Sequence, residues 1–257
     1  MTSFASRVVI ASRVALVHLL LSAVVASGAA ALVFGVWYPF PYRELAGGRE
    51  LFWIVVAVDV VMGPFLTLIL FNQLKPRREL LIDLILVALL QLTALGYGLW
   101  SVWQARPLFL VMEIDRYKVV AAPNLDDGAL TRLSDVVKAP GLLSGPITVG
   151  LRKPMNEAER QKVLLESMEG GPDYAERPEF YLPYQGDAAE AAWSRGRQIE
   201  DFIKRYPDQR DSLESALKDQ DLRIADVRYL PVLGRQDWVA VIDRQGGIRA
   251  FLPGDGF

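Results

Sequence analysis

The 257-residue chain has no cysteine and a single histidine, His18. Without cysteine there are no disulfides, no thiol chemistry and no thiolate metal ligands. The compartment stays open on that ground. One histidine, set in an apolar run, excludes a His-based metal cluster and a Ser-His-Asp arrangement in the rest of the chain. A basic surface is also missing. Residues 106–257 hold 21 basic and 25 acidic side chains, a balance that argues against nucleic acid as a partner. Phosphate loops are absent too. Gly170-Gly171-Pro172 is a helix stop, since neither GxxxxGK[ST] nor GxGxxG follows a strand. The acidic groups Asp126-Asp127 and Glu157/Glu159 read as solvated turn and helix-start carboxylates rather than metal ligands. The expectation is a protein with no cofactor, no metal and no catalytic residues.

What the chain has is long apolar stretches. Hydrophobic residues make up 52% of it, and residues 1–105 carry only seven basic and five acidic side chains. Three runs are long enough to span a bilayer, at about 14–37, 51–71 and 80–103. Arg7 and Arg13 flank the first on one side. Trp37, Tyr38, Phe40 and Tyr42, which favour a membrane interface, flank it on the other. A cleaved signal peptide is the rival reading, given Ser27-Gly28-Ala29, but the apolar run continues to Val36, beyond the length of a signal core. The basic N-terminus and the Lys75-Pro76-Arg77-Arg78 loop fall on one side and read as cytoplasmic. The domain expectation is therefore a three-helix transmembrane domain over 1–105 and a periplasmic α+β domain over 106–257, in a bacterial inner membrane.

Small residues line the first span in two rows, Ser22, Ala26 and Ala30, and Ala23, Ser27, Ala31 and Gly35. Such rows let a second helix approach closely, either from the same chain or from a partner. Ala94 and Gly98 form a shorter pair on the third span. Asp59 lies well inside the second span, where a carboxylate needs a partner. Pro64 removes a backbone donor and Gly63 adds freedom, so a kink is expected there. At 1.5 Å per residue, Asp59 lies ~20 Å and Gln91 ~18 Å from their cytoplasmic helix ends, which predicts a contact between them. Asp83 and His18 lie nearer that boundary, with Asp83 in reach of Lys75 or Arg77. Structural pairing, recognition of a partner helix and an ion path are the alternatives for these four polar residues.

The rest alternates strand and helix signals. Leu108–Val120 reads as a strand, Ser134–Lys138 as a short helix and Ile147–Leu151 as a strand. Asn156 reads as the N-cap of a helix to about Met168. Arg177–Pro183 reads as a connector, followed by helices over Asp187–Tyr206 and from Asp208 to about Lys218. Strands are expected over Ile224–Leu233, Asp237–Asp243 and Ile248–Leu252, the last two joined by a turn at Arg244–Gly247. Arg106, Glu113, Asp115 and Arg116 are the polar residues to watch at the periplasmic face.

Several of these segments are similar to type IV pilin accessory proteins of the TfpX/TfpZ family. They are Trp37-Tyr38-Pro39, Gly47-Gly48-Arg49-Glu50-Leu51-Phe52, Val58–Leu68 around Asp59, Asp83-Leu84, Gln91, Tyr97-Gly98, Arg106-Pro107 and Glu113–Tyr117. The similarity is good over residues 30–120 and only architectural beyond about 150. It implies an inner-membrane, non-enzymatic protein that assists a cognate type IV pilin, through that pilin's membrane helix and periplasmic head. A membrane scaffold or sensor, or a pilin-modifying enzyme, are the alternatives.

Overall fold

Apolar length and composition produce three long helices at the start of the chain. A computed structural model describes the backbone of residues 4–70 and 75–257, and side chains from Val9 onward except those of Leu51, Val58 and Asp59. The chain separates into two units. One comprises residues up to Val36 and Gly48–Gln104; the other comprises Trp37–Gly47 and Ala105–Phe257.

In the first unit, α1 (Phe4–Leu32) runs on into a π-helical turn at Val33–Trp37. It is followed by α3 (Gly48–Leu70) and α4 (Arg77–Gln104), while α2 (Tyr42–Leu45) belongs to the second unit. The stretches Val9–Trp37, Gly48–Leu70 and Arg77–Gln104 are all long and apolar enough to cross a membrane. α3 packs against both α1 and α4. α1 is buried at Ala11, Ala15, Ser22, Ala26 and Ala29 and half-buried at His18, a seam recurring every three or four residues and continued by Val33 in the π-helical turn. Most of the bulky side chains point outward, Leu21, Val24 and Leu92 among them. That is untenable in water and normal in lipid, where tails are as apolar as leucine.

The second unit is α/β, built on an eight-stranded mixed sheet. Its strands are β1 (Pro107–Met112), β2 (Tyr117–Ala121), β3 (Ile147–Leu151), β4 (Tyr181–Pro183), β5 (Arg197–Gln198), β6 (Val227–Leu233), β7 (Trp238–Asp243) and β8 (Ile248–Pro253). The order is β4-β3-β1-β2-β6-β7-β8, with β5 beside β6; β1–β3 and β2–β6 are parallel and the other pairs antiparallel. Side chains alternate across the sheet. Leu110, Met112, Leu230, Val232, Ala240 and Ile242 share one core, and Val227, Tyr229, Val239 and Val241 another. The second core is closed by α7 (Ile199–Arg205) and α8 (Arg210–Lys218). The first is closed by Ala192 of α6 (Asp187–Arg195) and by Tyr42 and Leu45 of α2. A third core around Phe109, Val111, Val149 and Tyr181 fills the β3–β4 end.

The segment Trp37–Gly47 groups with Ala105–Phe257, although in the sequence it lies between the first two long helices. Trp37, Tyr38, Tyr42 and Leu45 are all buried, and the Arg235 amide donates to the Leu45 carbonyl at 2.7 Å. The loop between the first two long helices is thus part of the sheet unit's core.

Some expectations change. Leu108–Val120 is a hairpin, because the chain turns back at Glu113–Arg116, where the Glu113 amide donates to the Arg116 carbonyl. Ser134 starts no helix; its hydroxyl donates to the Tyr181 carbonyl instead of capping. The helix expected over Asp187–Tyr206 breaks at Gly196, where a Cβ would lie 2.8 Å from Arg228 Cβ and where β5 joins β6. The connector contributes β4. α5 (Glu157–Met168) starts as expected, with Asn156 accepting from the Glu159 amide.

Candidate functional site

Helix periodicity turns some polar residues of the helical unit toward neighbouring helices, while Ser27 and Thr93 are exposed and, like Ser101, bond carbonyls of their own helix. His18 of α1 bonds Thr67 of α3, Nδ1 to Oγ1 at 2.6 Å, and Thr67 is fully buried. Gln91 of α4 donates from Nε2 to Ser22 Oγ of α1 at a long 3.4 Å. The same amide lies over Gly63 of α3, where a Cβ would stand 2.0 Å from Nε2. Gln91 therefore touches both neighbouring helices, and Gly63 is the notch that admits it. Gly98 plays a similar part further along α4, since a Cβ there would fall 2.5 Å from Val55 Cγ1. Asp83 forms a 2.5 Å ion pair with Lys75. The expected Asp59–Gln91 contact falls on a side chain outside the described residues. Residue 59 is one turn before Gly63 in α3, which continues through Pro64 to Leu70.

The two small-residue rows of α1 differ. Ser22 and Ala26 are buried and Ala30 half-buried, so this row lies in the seam of the unit itself. Ala23, Ser27, Ala31 and Gly35 are exposed, and a Cβ at Gly28 or Gly35 would meet nothing within 4 Å. The Ser27 hydroxyl satisfies itself on the Ala23 carbonyl, leaving a smooth surface. On α4, Ala94 is exposed while Gly98 is buried.

In the sheet unit, the four polar candidates do not converge. Arg106 precedes β1, and Glu113, Asp115 and Arg116 follow it, so the strand separates them by ~20 Å. Arg106 is buried; burial lowers its pKa to about 10, opposed by nearby Tyr38, so it stays cationic at neutral pH. Glu113 is half-buried, and burial raises its pKa against the opposing charges of Lys118 and Arg116. Asp115 and Arg116 pair with each other at 2.9 Å. Among the described residues no group of three or more His, Asp or Glu side chains is arranged to hold a metal.

Residues 6–47 match the family described as fimbrial assembly protein FimB. Over its whole length the chain is 30% identical to the serogroup I fimbrial assembly protein of Dichelobacter nodosus, covering 98% of both chains. This chain belongs to the fimbrial assembly protein family. The serogroup E1 fimbrial assembly protein of the same organism is also 30% identical, with 98% of each chain covered. A third, from serogroups C1 and C2, is 40% identical over 45% of this chain and 88% of its own. No solved structure matches. Within this fimbrial assembly protein, the match over 6–47 takes in α1 and the segment that enters the sheet unit.

Three of these contacts carry little signal in the sequence. Thr67 and Ser22 look like ordinary helix residues until their partners are seen. The buried Trp37–Leu45 stretch has the prolines and charges of a linker.

Proposed function

We propose that the protein is a multi-pass inner-membrane accessory that assists a type IV pilin, shielding the pilin's membrane helix and holding its head before assembly. The observation that carries this is the end-to-end similarity to fimbrial assembly proteins, which includes all three apolar helices. Closer kinship with the TfpX/TfpZ accessory proteins is part of the proposal. The topology has Arg13 and Lys75–Arg78 in the cytoplasm and the sheet unit in the periplasm. Its support is parity. Trp37–Gly47 and Ala105–Phe257 fold together, which requires them on one side of the bilayer, and two crossings between them put them there. The role is non-enzymatic, in keeping with the separation of Arg106 from Glu113, Asp115 and Arg116.

The partner helix is taken to lie along Ala23, Ser27, Ala31 and Gly35, because the Ser22–Ala26 row is already used inside the unit. Photo-crosslinkers at Ala23, Ser27 and Ala31 are expected to trap pilin, and one at Ala26 to trap only this chain. Deletion is expected to lower pilin abundance and surface fimbriae together. Normal fimbriation in the deletion strain overturns the role; normal crosslinking at Ala26 but none at the other three overturns the docking face alone.

A further inference from the structure

The turn Gly141–Ser144 places two leucines at its tip. The Ser144 amide and hydroxyl both approach the Gly141 carbonyl, at 3.4 and 3.2 Å, which makes Leu142 and Leu143 the central residues. They are 60% and 79% exposed. Turn tips that face water favour Gly, Asn, Asp, Ser or Pro, which this segment has only on its flanks: Pro140-Gly141 before and Ser144-Gly145-Pro146 after. Two bare leucines there lose stability in water and gain it in an apolar surrounding.

The position of the turn says what that surrounding is. The indole Nε1 of Trp37 donates to the Leu142 carbonyl at 2.8 Å. Trp37 is the last residue of the first membrane-length stretch, Val9–Trp37. A tryptophan at such a boundary commonly turns its N–H to headgroups or water. Here the N–H holds the turn. Arg106, two residues beyond the end of α4, reaches the Pro140 carbonyl through Nη2 at a long 3.5 Å. Of the two residues that hold the turn, Trp37 ends a membrane-length stretch in the sequence and Arg106 follows another by two residues. Charge fits as well. No acidic residue occurs between Asp135 and Glu157, while Lys138 is exposed just before the turn.

We propose that Leu142 and Leu143 insert into the bilayer interface, with Lys138 toward anionic headgroups, so that the sheet unit is fastened to lipid by a side-chain anchor in addition to its covalent links. The inference rests on the reading that α1 ends at a bilayer surface near Trp37. The absence of native cysteine makes single-site labelling direct. The full chain is reconstituted alone into liposomes of phosphatidylethanolamine and phosphatidylglycerol, with an environment-sensitive fluorophore on Leu143→Cys, Met155→Cys or Val24→Cys. Met155 is equally exposed but lies just before α5 of the sheet unit, and Val24 is 71% exposed on α1. Labels at 143 and 24 are expected to be quenched by nitroxide lipids and shielded from an aqueous quencher, with 155 showing the reverse. Lipid quenching at 24 with an aqueous response at 143 overturns the anchor while leaving the membrane reading intact. An aqueous response at 24 overturns both. Shielding of 143 only in cell membranes that contain pilin assigns the turn to a protein partner and overturns the lipid anchor.

Discussion

The two units solve opposite problems with similar residues. In the helical unit, most bulky leucines and valines point outward, and small or polar residues join Phe52, Val87 and Leu95 in the contacts. Ser22, Ala26, Gly63 and Gly98 make room, and His18–Thr67 and Gln91–Ser22 join helices. In the sheet unit, Phe109, Leu110, Tyr117, Leu213 and Leu230 are buried, and polar groups lie mostly at edges and turns. The difference follows from the surroundings. Water drives apolar side chains together, whereas lipid offers them no reason to associate, so close fit and hydrogen bonds decide.

The comparison breaks most visibly at Leu45, which lies between two long helices in the chain but is only 1% exposed in the core of the sheet unit. Leu45→Ala is expected to destabilise the sheet unit by about 2–5 kcal/mol, while Val24→Ala on the lipid-facing side costs about 0.5 kcal/mol or less. Thermal unfolding followed by near-ultraviolet circular dichroism in detergent measures both. Equal effects would mean that the loop is not core.

A smaller effect tests the notch at Gly63. Gly63→Ala forces the Gln91 amide aside and is expected to cost about 1–3 kcal/mol. Adding Gln91→Ala should recover part of that loss, as read by a double-mutant cycle in denaturant. Strict additivity would show that the two side chains do not meet.

The hydrogen bond between His18 and Thr67 is expected to couple by about 0.6 kcal/mol, near the average for such pairs in membrane bundles. A cycle of His18→Ala and Thr67→Val yields that figure directly, and a coupling of zero would leave the helices held by fit alone.

The smallest effect concerns pH. A hydrogen bond and ion pair with Arg152, with help from the Met155 amide, hold Glu159 down to about 2 from an ordinary 4.5. A carboxylate held low in the folded state stabilises it above the unfolded value. That contribution therefore fades as the pH falls from 4.5 toward 2. Protection of the α5 amides against hydrogen exchange, after division by the intrinsic rate at each pH, should fall over that window and stay constant in Glu159→Gln. Since Glu159 is on the surface, high salt should blunt the response.

The long helices were legible because a bilayer demands some twenty consecutive apolar residues and little in water imitates that. α5 was legible from Asn156 and the acidic residues after it. The hairpin at Glu113–Arg116 was less so, because its turn contains Ile114 and no glycine. The break at Gly196 depends on Arg228, which lies over the Trp193 ring and bonds its carbonyl at 2.9 Å, a contact across more than thirty residues. The role of Trp37–Leu45 was hidden for the same reason. Pro39, Pro41, Arg43 and Glu44 describe a linker locally, and only the distant strands reveal what Tyr38, Tyr42 and Leu45 cover. Among the polar residues, Gln91 stood out by its chemistry, but Thr67 and Ser22 are too common in helices to announce a partner.

The borrowed segment Trp37–Gly47 also imposes an order on biosynthesis. It leaves the ribosome before the strands it will cover, and Tyr42 and Leu45 stay uncovered until β6 and β7 are made. On the proposed topology, the first core can close only after both α3 and α4 have crossed the bilayer. A chain in which α3 or α4 failed to insert would strand the two halves of that core on opposite sides and leave an open, protease-sensitive sheet, so maturation of the domain doubles as an audit of that pair of crossings.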